Sequence, residues 1–204
     1  MVISEPVIGV LALQGDVAEH VNAMRRDGIE AMPVKTLAEL ERVDGLVIPG
    51  GESITVMKLL DRFGLADPIV SRVQDGMPLW GTCMGMIVIA RDVADSKQPT
   101  LNLIDISVRR NAFGRQNESA EVPLAIPAFG ESPFPGIFIR APWVERAGHG
   151  VEILADRDGH AVMVRQENVL ATSFHPELTV DRRVHEYFTK MVRSALVGKR
   201  RKIA

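Results

Sequence analysis

Residues 78–90 read PLWGTCMGMIVIA, a short apolar run that reaches the chain's single cysteine between two glycines and then continues as an apolar segment. This pattern predicts a strand, a sharp turn at Cys83 and a helix. The pentapeptide GTCMG has the form G-x-C-x-G, the thiol counterpart of the G-x-S-x-G nucleophile elbow, in which the glycines let the chain fold back without clashes of Cβ atoms. Cys83 is therefore a candidate nucleophile; the alternative is a small buried apolar side chain.

Composition limits the classes of protein to which the chain can belong. A chain of 204 residues with 46% hydrophobic and 25% charged residues is long enough for one well-packed domain and short for two. A formal charge of -2 and 5% aromatic residues give neither the field nor the stacking surfaces that nucleic acids need. One cysteine excludes an intrachain disulfide, and no apolar run approaches the length of a membrane span. We expect a soluble cytoplasmic protein with a single domain over residues 1–198 and a basic tail at 199–204.

The first ninety residues alternate between strand and helix patterns. Apolar, β-prone runs predict strands at 7–13, 29–34 and 45–48, in addition to the strand before Cys83. The intervening helices follow Asp16, start at Thr36 with a capping box to Glu39, and cover 54–63, with Ser53 as N-cap, and 66–74. Such alternation predicts a three-layer αβα fold with a doubly wound, mostly parallel sheet, in which sites form at the carboxyl ends of strands. Both the loop at 49–53 and Cys83 lie at such ends.

After Ala90 the chain becomes richer in proline and glycine, and its short β-prone runs predict added antiparallel strands. We expect a loop at 92–100, strands at 104–108 and 136–139, and a hairpin of 151–155 and 161–165 around Asp158-Gly159. A buried strand at 169–174 and a closing helix at 182–197 complete the pattern. Residues 111–119 are polar and without periodicity, so they form either an exposed functional loop or a merely solvated one.

The buried strand at 169–174 ends in His175-Pro176-Glu177. A cysteine nucleophile needs a base, and that base needs a partner that fixes its tautomer. In an extended segment, residues two apart face the same way, which would let Glu177 hold one imidazole nitrogen of His175 while the other meets Cys83. The alternative is that His175 caps a strand and Glu177 starts a surface turn. The other histidines, which have no such neighbour, are interpreted as surface or structural residues: His20, His149, His160 and His185.

Cofactor and metal motifs are missing from the sequence. No group of His, Cys, Asp or Glu has metal-ligand spacing, and neither a Walker loop nor a complete G-x-G-x-x-G occurs. We therefore expect a reaction carried out by side chains, with no cofactor.

Three motifs in this order resemble a class I (triad) glutamine amidotransferase: PGGES at 49–53, GTCMG at 81–85 and HPE at 175–177. Longer stretches are similar, more narrowly, to the glutaminase subunits of pyridoxal 5′-phosphate synthase. These stretches run nearly end to end and are LQGD at 13–16 followed by Glu19-His20, RNAFGRQ at 110–116, FIRAP at 138–142 and SFHPELT at 173–179. Three positions depart from the pattern we expect of that family: Ile54, Met84 and Met86.

The resemblance implies a flavodoxin-like fold and hydrolysis of the side-chain amide of L-glutamine to L-glutamate and ammonia. Cys83 would attack the amide carbon, and His175, held by Glu177, would protonate the departing ammonia and then activate water. The backbone N–H groups of Gly51 and Met84 would form the oxyanion hole. By the same resemblance, the glutamine site is lined by Gly51, Glu52, Ser53, Arg110, Ile139 and Arg140. Arg110 is suited to the α-carboxylate and Glu52 to the α-ammonium group.

The implied partner is a synthase (lyase) subunit that uses the ammonia for vitamin B6 biosynthesis. We expect the free chain to be a poor glutaminase, because Pro49-Gly50-Gly51 permits a peptide flip that the partner would reverse. The partner would dock through residues 111–119 and the first helix. The alternatives are another α/β cysteine hydrolase, an amidotransferase that serves a different synthase, or a non-catalytic module on the same fold.

Overall fold

The computed structural model of the chain describes residues 5–26, 28–110 and 119–203. These ranges contain twelve β-strands and six α-helices. The strands are β1 (Val7–Leu11), β2 (Glu30–Val34), β3 (Gly45–Ile48), β4 (Leu79–Thr82), β5 (Ala90–Val93), β6 (Ile104–Arg109), β7 (Ser119–Leu124), β8 (Phe134–Ile139), β9 (Trp143–Ala147), β10 (Glu152–Arg157), β11 (His160–Gln166) and β12 (Val169–Thr172). The helices are α1 (Val17–Arg26), α2 (Leu37–Glu41), α3 (Ser53–Arg62), α4 (Ala66–Gln74), α5 (Met84–Ile89) and α6 (Arg183–Ile203).

The parallel part of the main sheet has the strand order β2-β1-β3-β4-β12, and every neighbouring pair in it is parallel. Every residue of β3, β4 and β12 is buried. Continuous apolar runs form such strands because both faces of a parallel sheet are covered. The strands predicted in the first ninety residues are therefore confirmed, although β1 ends at Leu11 and β2 begins at Glu30.

The second half of the chain extends this sheet with antiparallel strands. β11 pairs with β12 and β9, and β9 pairs with β6, all antiparallel, while β5 joins β6 in parallel. β10 completes the predicted hairpin with β11. Asp158 and Gly159 have φ of 54° and 80° at the turn, as a two-residue hairpin loop with two positive-φ positions requires. β7 and β8 form a separate two-stranded sheet.

Two apolar clusters cover the two faces of the main sheet. Leu46 and Ile48 of β3 belong to the cluster that contains residues of α3, α4 and α5. Val47, between them in the strand, belongs to the cluster that contains residues of α1 and α6. Alternate residues of one strand thus enter opposite layers, which confirms the three-layer αβα arrangement with a mixed sheet.

Several local predictions are corrected. Ser53 is the first residue of α3 and not its N-cap; Glu52 holds that position, and its side chain makes no capping hydrogen bond. The expected loop at 92–100 begins inside β5. The closing helix continues to Ile203 and so includes most of the expected tail, because lysine and arginine are good helix formers and favour a helix C-terminus. The capping box between Thr36 and Glu39 is confirmed.

Two expectations stay predictions. Residues 111–118 of the polar loop lie outside the described residues, and the assignment of residues 1–198 to a single domain is still a prediction. Within the described ranges, no helix has both the length and the apolar character that crossing a membrane requires.

Candidate active site

The turn between β4 and α5 holds Cys83 in a rare backbone conformation. Its φ of 48° and ψ of -111° lie outside the common regions for a residue with a side chain, at a cost of roughly 1–3 kcal/mol. The amide of Cys83 donates to the carbonyl of Thr172 at 2.7 Å, which fixes the turn to the end of β12. Backbone strain of this kind is typical of a nucleophile elbow.

The two glycines of the motif are needed because backbone atoms approach both of them closely. A Cβ atom on Gly81 would lie 2.6 Å from the carbonyl oxygen of Gly85, and one on Gly85 would lie 2.1 Å from that of Ile48. Neither separation is possible for real atoms. The predicted reason for the G-x-C-x-G spacing is therefore confirmed.

His175 reaches the elbow because β12 is paired with β4. Thr172 is the register partner of Thr82, so the chain leaves both strands at the same edge of the sheet. The amide of His175 also donates to the carbonyl of Ile137 in β8, at 2.8 Å. From the same strand, the carbonyl of Ile139 lies 3.8 Å from Sγ of Cys83 and accepts its S–H. Two strands thus support the cysteine and the histidine together.

Glu177 is the partner of His175, as predicted, but not through an extended segment. Residues Pro176–Leu178 form one turn of 3₁₀ helix. This turn brings Oε1 of Glu177 to 2.6 Å from Nδ1 of His175. The alternative in which Glu177 starts a surface turn is wrong, since its side chain is buried.

The ionisation of this pair follows from burial and hydrogen bonding. Burial lowers the pKa of His175, but hydrogen bonding with Asp16, Cys83 and Glu177 outweighs it and raises the pKa to about 12. Burial raises the pKa of Glu177, against the opposing effect of His175. The groups around His175 thus favour its protonated, imidazolium form.

A cleft of about 380 Å³ opens beside Cys83. It is lined by eight of the ten predicted site residues, namely Gly51, Glu52, Cys83, Met84, Arg110, Ile139, Arg140 and His175. Glu177 lies behind His175 and does not line the cleft. Ser53 does not line it either, because it is buried and its hydroxyl lies 3.1 Å from the amide nitrogen of Gln98.

Arg110 lines the cleft and directly follows β6. Its Nη1 donates to Oε1 of Gln98 at 3.3 Å, and its Nε is 4.0 Å from Oδ1 of Asp95. That Nε makes no hydrogen bond with any residue that the structure describes. The guanidinium of Arg110 therefore retains capacity to bind an anion.

At the end of β8, Arg140 has φ of 45°, a strained value for a residue with a side chain.

Sequence reasoning assigned no role to three further residues that line the cleft: Gln14, Asp16 and Leu178. Oε1 of Gln14 accepts from the amide of Glu52 at 2.6 Å, and a Cβ atom on Gly51 would lie 2.5 Å from it. Oδ2 of Asp16 lies 3.5 Å from Nδ1 of His175. The carbonyl of Gly50 accepts from the amide of Asp16 at 3.4 Å, so the glycine loop rests against the start of α1.

Asp16, His175 and Glu177 each present one possible metal-ligand atom within 4.8 Å of the others. The Nδ1 atom of His175 already makes the 2.6 Å hydrogen bond to Glu177. The grouping is accounted for by hydrogen bonding within the site.

Of the two interpretations given for His20 and His185, surface or structural, the surface one is excluded, because both residues are buried. Helical period gave a signal for both: His20 lies three residues after Val17 and four before Met24 in α1, and His185 lies three residues before Phe188 in α6. They meet under the site, where α1 and α6 pack against β4.

Comparison with known proteins agrees with this geometry. Residues 10–194 match the model of the SNO glutamine amidotransferase family. The chain belongs to the SNO glutamine amidotransferase family. A relative from Streptomyces coelicolor, named pyridoxal 5′-phosphate synthase subunit PdxT, is 57% identical over 93% of this chain and 95% of its own length. The protein of that name from Salinispora arenicola is 54% identical over 94% and 98%.

The fold of this amidotransferase is shared with a solved structure. A protein described as a glutamine amidotransferase superposes with a TM-score of 0.86 at 48% identity, covering 91% of this chain and 98% of that one. The resemblance read from the three motifs is therefore confirmed at the level of the family and the fold.

Proposed function

We propose that this amidotransferase is the glutaminase subunit of a pyridoxal 5′-phosphate synthase, hydrolysing L-glutamine and passing ammonia to a synthase (lyase) subunit. One observation carries the proposal: a strained cysteine faces a cleft beside a buried histidine whose Nδ1 is 2.6 Å from a glutamate oxygen. The names of the relatives supply the partner and the pathway.

In the proposed mechanism the proton shared by Cys83 and His175 rests on the imidazole ring, and the Cys83 thiolate attacks the amide carbon of glutamine. The N–H groups of Gly51 and Met84 stabilise the oxyanion of the tetrahedral intermediate. His175 then returns the proton to the leaving nitrogen, so that ammonia departs and a glutamyl thioester remains. His175 next takes a proton from water, whose oxygen attacks the thioester, and the C–S bond breaks to release glutamate and the thiol.

Substrate binding is proposed for the opposite wall of the cleft. Arg110 pairs with the α-carboxylate, Glu52 receives the α-ammonium group, and the backbone at Ile139 and Arg140 closes the site. Ser53 acts through Gln98, since the amide of Gln98 lies between it and Arg110. Gly51 has both roles, as an oxyanion donor and as part of the lining.

Control by the synthase subunit is part of the proposal. Among the described residues, the Gly50 carbonyl accepts one long hydrogen bond, of 3.4 Å from the amide of Asp16, and we propose that the Gly50–Gly51 peptide rotates. Loss of one oxyanion donor lowers kcat by roughly 10²–10³. Docking of the synthase subunit would select the state in which the Gly51 N–H faces the substrate. A cytoplasmic location stays a prediction.

The test is glutamate release by the purified chain, with and without its cognate synthase subunit, for the wild type and Cys83→Ala. We expect the synthase subunit to raise kcat roughly 10²–10³-fold, and Cys83→Ala to abolish release, by at least roughly 10³-fold, while still binding that subunit. Unchanged glutamate production by Cys83→Ala rules out the mechanism. Equal rates with and without the synthase subunit, or activation by an unrelated synthase instead, rule out the assigned partner.

A further inference from the structure

A pair of buried histidines lies directly behind the proposed triad. His20 of α1 and His185 of α6 have ring centroids 5.4 Å apart, and the rings lie 5.3 Å and 5.1 Å from that of Trp80 in β4. His20 is 0% exposed and does not line the cleft. Imidazoles in an apolar layer are costly unless their nitrogens have partners, so their contacts need an explanation.

His20 contacts the carboxylate of Glu177 on the side away from His175. Its Nε2 is 3.3 Å from Oε2 of Glu177 and 3.2 Å from Oγ1 of Thr82. Oε2 is buried and makes no well-aligned hydrogen bond within the described residues. The 3.3 Å separation is a close polar contact and not a hydrogen bond, so an N–H on Nε2 that donates to the Thr82 hydroxyl stabilises Oε2 by electrostatic attraction.

The order of the contacts determines the tautomers. A carboxylate only accepts hydrogen bonds, so the nitrogen of His20 that faces Glu177 carries the hydrogen. Nδ1 of His20 is then an acceptor, and Nε2 of His185, 3.3 Å away, donates to it. This leaves Nδ1 of His185 as an acceptor, and that buried atom has no hydrogen-bond partner among the residues that the structure describes. All donors therefore point along one chain from His185 through His20 to Glu177.

Both histidines are neutral in this arrangement. Burial lowers the pKa of His20 well below its ordinary value, and the neighbouring His185 and His175 lower it further. Burial, with the charge of Arg182, lowers the pKa of His185 to about 4. The titratable groups that face the cluster are Glu177, His175 and Arg182, with Asp16 beyond His175.

We propose that His20 is a positioning residue for amide hydrolysis: its Nε2–H holds Oε2 of Glu177, so that Oε1 stays on Nδ1 of His175 and the other imidazole nitrogen stays directed at Cys83. This inference rests on the proposed glutaminase function. His20 touches neither substrate nor nucleophile and acts only through Glu177.

The proposal predicts that loss of the His20 contact lowers kcat but leaves KM nearly unchanged. Without the second donor, the Glu177 carboxylate takes up a proton at higher pH and no longer supports the imidazolium form of His175. We expect kcat to fall roughly 10- to 100-fold, the usual effect of losing a hydrogen bond to a charged group. The acid limb of the kcat profile should move to higher pH. The KM for glutamine should change less than about twofold, since the cleft wall is untouched.

The experiment compares His20→Gln with His20→Asn in the complex with the synthase subunit. The amide nitrogen of glutamine reaches the position of Nε2, whereas that of asparagine reaches only the position of Nδ1. Both variants remove the ring from Trp80 equally. We expect His20→Gln to stay within about threefold of the wild-type kcat with an unshifted pH profile, and His20→Asn to show the fall and the shift. Equal losses in both variants, or a normal His20→Asn, would overturn the proposal.

A measurement on the unaltered protein covers the case in which a variant does not fold. ¹⁵N NMR of the histidine rings reports which nitrogen carries hydrogen, and we expect His20 to be the Nε2–H tautomer at pH 7. An Nδ1–H tautomer, or a charged ring, contradicts the proposal. If Cys83→Ala remains active, the proposed function fails whatever the tautomer; if only the His20 results fail, the function stands and His20 is merely structural.

Discussion

The two walls of the cleft differ in how completely their polar groups are already paired. On the Cys83 wall, His175 and Glu177 make a 2.6 Å hydrogen bond, and Glu177 is buried against His20. On the Arg110 wall, the guanidinium makes a 3.3 Å contact with Gln98 and a 4.0 Å contact with Asp95, and its side chain is 30% exposed. The comparison indicates that the chemical groups are preorganised, while the groups proposed to recognise substrate keep weaker contacts that a ligand can replace.

The largest effect is expected from Glu177→Gln on the Cys83 wall. The amide would present an N–H or a weaker acceptor to Nδ1 of His175 and so favour the wrong tautomer. We expect kcat to fall roughly 10³–10⁴-fold, as when the carboxylate of a Ser-His-Asp triad becomes an amide. The assay is glutamate release by the complex at saturating glutamine.

Glu167→Gln is the matched control, because Glu167 is exposed in the turn between β11 and β12. It should leave kcat within about twofold, as surface changes usually do. A fall of less than tenfold for Glu177→Gln would mean that the pairing on this wall is structural only.

A smaller effect, and on a different kinetic constant, is expected on the other wall. Arg110→Ala removes a charge that we propose acts on the α-carboxylate in the ground state. KM for glutamine should rise roughly 10- to 100-fold, with kcat within about threefold.

The neighbouring Arg109 is the control, since it forms an exposed pair with Glu145 at 3.0 Å. Arg109→Ala should leave KM unchanged. If Arg110→Ala instead lowers kcat with normal KM, Arg110 does not act in ground-state binding of glutamine, and the proposed separation of binding and chemistry between the two walls is wrong.

The smallest effect is expected on stability at acidic pH. Neutral histidines are buried behind the Cys83 wall, and they destabilise the folded protein when the pH falls. A group with a lowered folded pKa contributes stability above its unfolded pKa and loses it as the pH falls towards the folded value. The pKa of His185 is 6.5 in the unfolded chain and about 4 in the folded protein. The free energy of unfolding therefore falls by roughly 2 kcal/mol from pH 7 to pH 5. His175 has the opposite sign: its pKa is raised to about 12, so its contribution is fully present below pH 6.5 and is lost as the pH rises towards 12.

The contribution of His185 is therefore measured as the difference in acid destabilisation between the wild type and a His185 variant. Urea unfolding at pH 7 and pH 5 should show a smaller acid loss for His185→Gln than for the wild type, by roughly 2 kcal/mol. His149→Gln, in an exposed turn, serves as control. Parallel pH dependences of the wild type and His185→Gln would show that this ring does not resist protonation.

The local pattern of residues was sufficient to predict the parallel strands of the sheet and the position of the nucleophile. The runs at β1, β3 and β4 are apolar throughout, which only burial on both faces explains, and helical periodicity separates them. The glycines around Cys83 report a steric requirement of the turn itself. Such information is local, because it depends on the period of the chain and on the space around one backbone bond. Local pattern predicted the strands of the mixed second half less well, since short polar strands such as β7 carry little periodic signal.

The sequence by itself therefore determined the αβα class, the elbow at Cys83 and the pairing of His175 with Glu177. Only the tertiary structure decided that Asp16 approaches His175, that Gln98 lies between Ser53 and Arg110, and that His20 is buried against Glu177. These contacts join residues from 12 to more than 150 positions apart in sequence. They arise because parallel pairing of β4 with β12 brings distant chain segments to one sheet edge, and because helices α1 and α6 must cover the same apolar face. Helical period can place His20 on the apolar stripe of α1, but it does not say which residues of other elements that stripe meets.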